Sequence, residues 1–344
     1  MAKNLTKINL SYNDLIGGIS STNWIDLSNL FNLDLRSNSL DGNIPTTLKG
    51  PLLNVYSLSV PRLRSNQLEG ELVVPPPFAT YLDFSRNNFY SAIPASIGHS
   101  LPFAYFFSLS NNKFHWGIPL SLCGTTYIQI LDLSYNTLNG TIPQCLIEMS
   151  NTLKGVGFEE KQRGSISDTF LDVCDVITVT SKVLDIELVK ILIIVTLIDI
   201  SCNNLDGPIP PSLGNLAQLE SLDLSSNNLT GEIPMQLADL IFLAVLKLSF
   251  NQLVEQIPQG KQFATFSEDS YEWNKGLCGY PLEIECTSTE PRSLHPTFEE
   301  THSNSRIVID WNFLSSELGF VVGLGILIGP LTFWKRWRIW YYKN

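Results

Sequence analysis

Four histidines, His99, His115, His295 and His302, are the natural place to look for catalysis, and they are scattered along the chain. None belongs to an H-E-x-x-H pair, and no serine sits in a nucleophile elbow. Gly323-Leu-Gly325 lies inside an apolar run, not between a strand and a helix where glycines cradle a phosphate. Protein-kinase signature motifs are absent from the sequence. With no convergent acid, base and nucleophile, the chain is expected to be no enzyme and to need no cofactor. Six cysteines remain: Cys123, Cys145, Cys174, Cys202, Cys278 and Cys286. No close pair has metal-type spacing, so oxidised pairs are expected and a zinc site is not. Three sequons, beginning at Asn4, Asn139 and Asn228, are glycosylation candidates compatible with a secreted route.

The 344 residues are 44 % hydrophobic and 16 % charged, ample for a sizeable core. A formal net charge of −11 argues against a nucleic-acid partner, which would need clustered Lys and Arg to neutralise phosphates.

The elements that must position any binding side chain come from a repeat. INLSYNDLIGGIS, LDLRSNSLDGNIP, LDFSRNNFYSAIP, FSLSNNKFHWGIP, LDLSYNTLNGTIP, IDISCNNLDGPIP, LDLSSNNLTGEIP and LKLSFNQLVEQIP share one template, and PRLRSNQLEGEL fits it poorly because Pro61 takes the first apolar position. The repeat asparagines are Asn13, Asn38, Asn66, Asn87, Asn112, Asn136, Asn203, Asn227 and Asn251. They stand 21 to 28 residues apart except for one gap of 67. In one coil, Leu222 and Leu224 face inward from a strand while Asp223 faces the concave side. Asn227 can satisfy the backbone groups of the turn that follows. Leu229 and Ile233 return to the core, Gly231 allows a tight bend, Pro234 stiffens the exit, and Met235 to Leu246 forms the convex side. Each coil must stack to bury its flat faces, so the fold expected is an α/β repeat solenoid of about nine to ten coils. The row Asp34, Asp83, Asp132, Asp199 and Asp223 reads either as an acidic ligand track or, more simply, as the common LDLS form of the repeat.

This repeat, with its G-x-I-P, resembles the plant-type extracellular leucine-rich repeat. The 67-residue gap looks like the island of plant leucine-rich-repeat receptor-like proteins, the kinase-lacking membrane receptors that include disease-resistance receptors. GKQFATFSEDSYEWNKGLCGYPLEIEC is similar to that family's C-terminal cap, in which Cys278 and Cys286 match the capping pair. Cys123 and Cys145 hold similar convex positions on consecutive coils and are a second candidate bridge; Cys174 and Cys202 have no evident partner. The expected organisation is repeats at 1–143, an island at 144–187, repeats at 188–260, a cap at 261–287, an acidic juxtamembrane linker at 288–312, a transmembrane helix at 313–334 and a cytoplasmic tail at 335–344. Family members begin with a signal peptide and a cysteine-paired cap, whereas residues 1–10 here already belong to a repeat, so a C-terminal portion of a longer receptor is expected.

LVKILIIVTLIDIS, residues 188–201, is too short and too closely flanked by Lys190 and Asp199 to span a membrane, and reads as a repeat strand. LGFVVGLGILIGPLTFW, residues 318–334, has the length and apolarity of a span. Lys335, Arg336, Arg338 and Lys343 follow it, which by the positive-inside rule puts the tail in the cytosol and the repeats outside, as in a single-pass type I plasma-membrane protein. Gly319 with Gly323, and Gly325 with Gly329, are spaced four apart and would let a partner helix approach. The resemblance implies an adaptor receptor kinase bound through the span, a co-receptor kinase ectodomain recruited on binding, and an extracellular ligand that is a peptide, protein or glycan. The function expected is a receptor in plant defence. The alternatives are a developmental receptor, a non-signalling decoy, or an inhibitor of wall-degrading enzymes, against which the span and island speak.

Overall fold

A computed structural model describes residues 4–19, 27, 29–44, 58–72, 74–75, 78–149, 177–181, 184–188, 196–260 and 262–286. The chain divides into two units, Met1–Thr287 and Ser288–Asn344, and every described residue belongs to the first. The expected span at 313–334, the tail, the four span glycines Gly319, Gly323, Gly325 and Gly329, the tail cations Lys335, Arg336, Arg338 and Lys343, and Cys174 lie outside the described residues. Among the described residues no helix is long and apolar enough to cross a membrane.

Each L-x-L segment forms a short strand, and the strands stack in parallel. Lys7–Asn9, Asn32–Asp34, Val60–Arg62, Tyr81–Asp83, Phe106–Ser108, Ile130–Asp132, Thr196–Asp199, Leu219–Asp223 and Val245–Lys247 make one nine-stranded sheet in that order. Ile130–Asp132 pairs directly with Thr196–Asp199, so the long interval interrupts the chain without interrupting the sheet. Within that interval Ile177–Ser181 and Leu184–Leu188 form an antiparallel hairpin. Even Val60–Arg62 keeps its place, with Pro61 opposite Leu33. Pro61 can lack an N–H there because its neighbours supply the ladder donors, Val60 N–H to the Phe31 carbonyl and Leu63 N–H to that of Asp83.

The inward leucines pack into one continuous core, with Leu222, Leu224, Leu229, Leu246 and Leu248 all but fully buried. Asparagine closes each coil. The Asn227 side-chain amide donates to the carbonyls of Ile200 (3.1 Å), Leu224 (3.1 Å) and Ser225 (3.3 Å), and its oxygen accepts from Leu205 N–H at 3.0 Å. Asn203 does the same across the interrupted interval, bonding the Leu133 carbonyl at 3.0 Å and accepting from Leu138 N–H at 3.0 Å.

Two features depart from the sequence reading. After each asparagine the chain forms a second parallel ladder, for example Asn204–Pro208 on Asn228–Glu232, where only a bend was expected. Gly231 sits in it at φ +78°, a conformation a side chain would strain. The convex side carries 3-10 turns such as Pro211–Asn215 and Met235–Asp239, and no α-helix occurs among the described residues, so the α component of the expected α/β class is replaced. Of the three buried leucines spaced by three, only Leu237 lies within the 3-10 turn Met235–Asp239; Leu240 ends it and Leu243 lies beyond. Adjacent turns pack backbone to backbone. A Cβ on Gly98 would run into the Ser121 carbonyl, and one on Gly214 into that of Gln236.

Candidate functional site

The nine-stranded sheet presents its outer side chains in rows, because alternate residues of each strand face the same way and neighbouring strands are in register. The first row runs Lys7, Asn32, Val60, Tyr81, Phe106, Ile130, Leu197, Ser221 and Val245. The second, two residues further along each strand, runs Asp34, Arg62, Asp83, Ser108, Asp132, Asp199, Asp223 and Lys247. A third brings Arg36 and Arg64 level with Ser85, Ser110, Ser134, Ser201, Ser225 and Ser249.

The first row is apolar through its middle. Tyr81 stacks on Phe106 with ring centroids 4.2 Å apart, Val60 and Ile130 extend the cluster on either side, and all four are buried. Next to Lys7 of the first strand, Asn32 is buried and its Oδ1 has no hydrogen-bond partner.

The second row changes sign along the solenoid. On the early coils Asp34 pairs with Arg36 at 2.9 Å and Arg62 at 3.6 Å, and the Arg62 guanidinium lies 5.0 Å from the Tyr81 ring centroid. Burial pushes the Asp83 carboxyl up, an effect that Arg64 opposes. On the later coils Asp132, Asp199 and Asp223 are consecutive partners across the sheet. Serines clamp part of each carboxylate: Ser134 Oγ–H donates to Asp132 at 2.7 Å, Ser225 Oγ–H to Asp223 at 2.6 Å, and Ser201 N–H to Asp199 at 3.0 Å. The Asp199 carboxyl is held well above the ordinary range, first by burial and then by Asp132 and Asp223 on either side. Burial also raises Asp132, against the serine hydrogen bonds that favour its ionised form.

These clamps give the LDLS aspartates a structural task in every coil that has one. They do not explain why arginines stand beside Asp34 and Asp83 on the early coils while Asp132, Asp199 and Asp223 stand together on the later ones, with Lys247 beyond them. The sequence reading noted the aspartates but missed Arg36, Arg62, Arg64 and the apolar row. Listing the residues beside each strand leucine, coil by coil, would have found them.

The remaining candidates are spread over other faces. Cys123 and Cys145 form a disulfide, Cα–Cα 5.3 Å, between the convex turns Leu120–Gly124 and Gln144–Met149. Cys278 and Cys286 form another in the cap, Cα–Cα 5.1 Å. Cys202 is half-buried and reduced, and the Tyr135 phenol is pushed up to about 12, first by burial and then by its hydrogen bond with that thiol. Asn4, Asn139 and Asn228 are exposed, on three different coils. The cap holds one residue that the repeat template overlooked: Asn274, one repeat length beyond Asn251, accepts from Leu253 N–H at 3.0 Å and donates to the Leu248 carbonyl at 3.0 Å. The signal was present as W-N-K-G-L. Phe250 stacks on Trp273 at 5.6 Å where this last coil meets solvent. Among the described residues no group of His, Cys, Asp and Glu is arranged to hold a metal.

Residues 29–50, 127–149, 195–216 and 218–240 match the Leucine Rich Repeat family model. The chain is 41 % identical over 246 residues to Receptor-like protein 33 of Arabidopsis thaliana, an alignment covering 63 % of this chain and 27 % of that one. It is 32 % identical over 372 residues to Receptor-like protein 43 of the same plant, covering 98 % of this chain and 47 % of the relative. The chain belongs to the plant leucine-rich-repeat receptor-like proteins. This receptor-like protein thus spans 27 % and 47 % of the length of those two relatives. Among solved structures, it resembles the plant peptide hormone receptor RGFR1 in complex with RGF2, with TM-score 0.59 and 25 % identity over 80 % of this chain and 37 % of that one. It also resembles the Arabidopsis receptor kinase HAESA in complex with the peptide hormone IDA and the co-receptor SERK1, with TM-score 0.55 and 26 % identity over 81 % of this chain and 43 % of that one.

Proposed function

We propose that this receptor-like protein is a membrane-anchored extracellular receptor. It binds a ligand on the concave face of its solenoid and signals in plant defence through partner receptor kinases. The observation that carries the reading is the concave face itself, where charges of both signs stand in register across the coils. Support also comes from HAESA, whose solved complex contains a peptide hormone and a co-receptor on the same architecture.

In this reading the repeats lie outside the plasma membrane, residues 313–334 cross it, and Lys335, Arg336, Arg338 and Lys343 hold the tail in the cytosol. On the same reading the signal passes to a partner, an adaptor kinase reached through Gly319, Gly323, Gly325 and Gly329. The island at 144–187 and the coils after it form the surface for the co-receptor ectodomain.

Two measurements on the native plant protein test this reading. Glycosidase treatment is expected to increase gel mobility through loss of glycan at Asn139 or Asn228, and an unchanged mobility would place the repeats on the wrong side of the membrane. Replacing the four span glycines with leucine is expected to reduce co-purification of a receptor kinase. Full recovery of the kinase would remove the helix contact from the model.

A further inference from the structure

We infer that Trp116, with His115 and Tyr90 beside it, is a docking platform for the glycan carried by Asn139, whose first sugars lie across neighbouring coils and brace them. This rests on reading the repeats as extracellular, and adds what the modification does there.

Three independent observations meet at this place. The first is register. Parallel pairing of His115–Trp116 with Thr137–Thr141 sets Trp116 opposite Leu138, so the next residue, Gly117, comes level with Asn139. A Cβ on Gly117 would lie 3.7 Å from the Asn139 carbonyl oxygen. Asn139 is exposed and begins the sequon Asn139-Gly140-Thr141. The second is exposure. Trp116 is 62 % exposed, with its ring 5.8 Å from that of His115. Tyr90, His115 and Asn139 each stand three residues after a repeat asparagine on consecutive coils, and Tyr90 is 52 % exposed. The His115 N–H bonds the Ser91 carbonyl at 3.3 Å, which carries this row from one coil to the next. The third is the backbone. Trp116 sits at φ +66° in the place that Gly140, Gly207 and Gly231 fill on other coils. Left-handed backbone is unfavourable for a bulky side chain, and an exposed indole recovers nothing from the core. Strain kept at such a position points to a contact outside the core.

The chemistry favours a sugar. A pyranose carries C–H groups on its faces and hydroxyls around its rim. A face can pack on an aromatic ring while the hydroxyls keep their water, and indole offers the largest ring surface. A glycan on Asn139 is tethered beside Trp116, so even a weak contact is well populated. Successive strands lie about 4.8 Å apart, which puts Tyr90 about 10 Å from Asn139, within reach of the first two sugars. The sequon at Asn228 supplies the contrast. Its ladder neighbour is Asp206, on the strand Asn204–Pro208, which holds no aromatic residue.

The test uses the full glycosylated chain from plant cells, its Asn139→Gln and Asn228→Gln variants, and each of these with Trp116→Gly. Glycine is what other coils carry at this position, so the fold tolerates it. Glycopeptide mass spectrometry first reads the occupancy of both sequons. Loss of the Asn139 glycan is expected to lower the thermal midpoint by about 2–4 °C when Trp116 is present and to leave it unchanged in Trp116→Gly. Loss of the Asn228 glycan is expected to act equally in both backgrounds. On the Asn139→Gln chain, Trp116→Gly is expected to raise the midpoint through relief of the left-handed backbone. Peptide N-glycosidase should release the Asn139 glycan from the folded chain about fivefold faster in Trp116→Gly, with release at Asn228 unaltered. Equal midpoint shifts or equal release rates in the two backgrounds overturn the dock and leave the extracellular reading standing. A bare Asn139 beside a glycosylated Asn228 does the same. Both sequons bare in the plant protein overturns the two together.

Discussion

At the scale of the residue, the repeat asparagine is the costliest to lose. Asn227 joins two coils through four hydrogen bonds. Asn227→Ala would leave the Leu205 N–H without a partner, while the carbonyls keep a second donor each, Asn203 for Ile200, Asn251 for Leu224 and Cys202 N–H for Ser225. With about 1–3 kcal/mol for a buried unsatisfied group, a loss of about 1–3 kcal/mol is expected from urea denaturation. A loss below about 1 kcal/mol would mean that water substitutes for the amide. Its neighbour Ser226 behaves oppositely. It sits at φ +58°, as do the residues before the other ladder asparagines, and Ser226→Gly relieves strain of about 1 kcal/mol. No glycine marks these positions, so their left-handed backbone was hidden from the sequence reading. Asp199 adds a dependence on pH. Its native carboxyl is raised by burial, Asp132 and Asp223, so the folded chain holds a proton that the unfolded chain releases at about pH 4. Between the ordinary carboxylate range and the raised native value, the folded state binds more protons, and stability falls as pH rises through that window. Asp199→Asn is expected to match the parent below the window and to exceed it increasingly above. Urea midpoints from about pH 3 to pH 8 check this, and a gap independent of pH would sink it.

At the scale of the element, strands were legible and their surroundings were not. L-x-L-x-x-N fixes each strand because the leucines must be buried and the asparagine must close the turn, two demands that one coil meets by itself. Phe107, Leu131 and Leu222 all lie where the template puts them. The second ladder depends on backbone groups of two coils meeting, as where Gly207 pairs with Leu229, and no single coil's sequence encodes that. The concave rows needed the same comparison across coils, which is why aspartates recurring in LDLS were noticed and arginines outside that pattern were not. The convex side was legible from its leucines, but the 3-10 turns that build it, such as Met235–Asp239, were not. Their close stacking puts a disulfide between Leu120–Gly124 and Gln144–Met149. Cys123 and Cys145 close a loop with a sequence separation of 22, for which chain entropy gives about 3 kcal/mol. A Cys123→Ser/Cys145→Ser variant is expected to lose about that much in denaturant, and reductant should then shift the parent more than the variant. Equal shifts would show that this bridge carries none of the stability.

At the scale of the whole solenoid, stability is a sum over coils and the contacts between neighbours, and the long interval is the place to test that statement. The sheet runs through it without a break. Ile130 pairs with Leu197, Asp132 with Asp199, and Asn203 reaches back to the Leu133 carbonyl at 3.0 Å. On the convex side the Ser212 hydroxyl donates to the Gln144 carbonyl at 2.7 Å. Coils before and after are therefore joined by the contacts that join any two coils. Removing residues 150–192 would return the separation of Asn136 and Asn203 to the 24 residues between Asn203 and Asn227. The shorter connection lowers the entropy of loop closure by about 1 kcal/mol or less. The expected outcome is a thermal midpoint within about 5 °C of the parent, with the Cys123–Cys145 bridge still formed. If the island forms part of the co-receptor surface, recovery of a partner kinase ectodomain should fall sharply in the same variant. A collapse of the midpoint by more than about 10 °C would make the interval part of the solenoid's core. Unchanged kinase recovery from a folded variant would instead move the co-receptor contact off the island and onto the coils that follow it, where Phe250 and Trp273 already lie stacked in solvent.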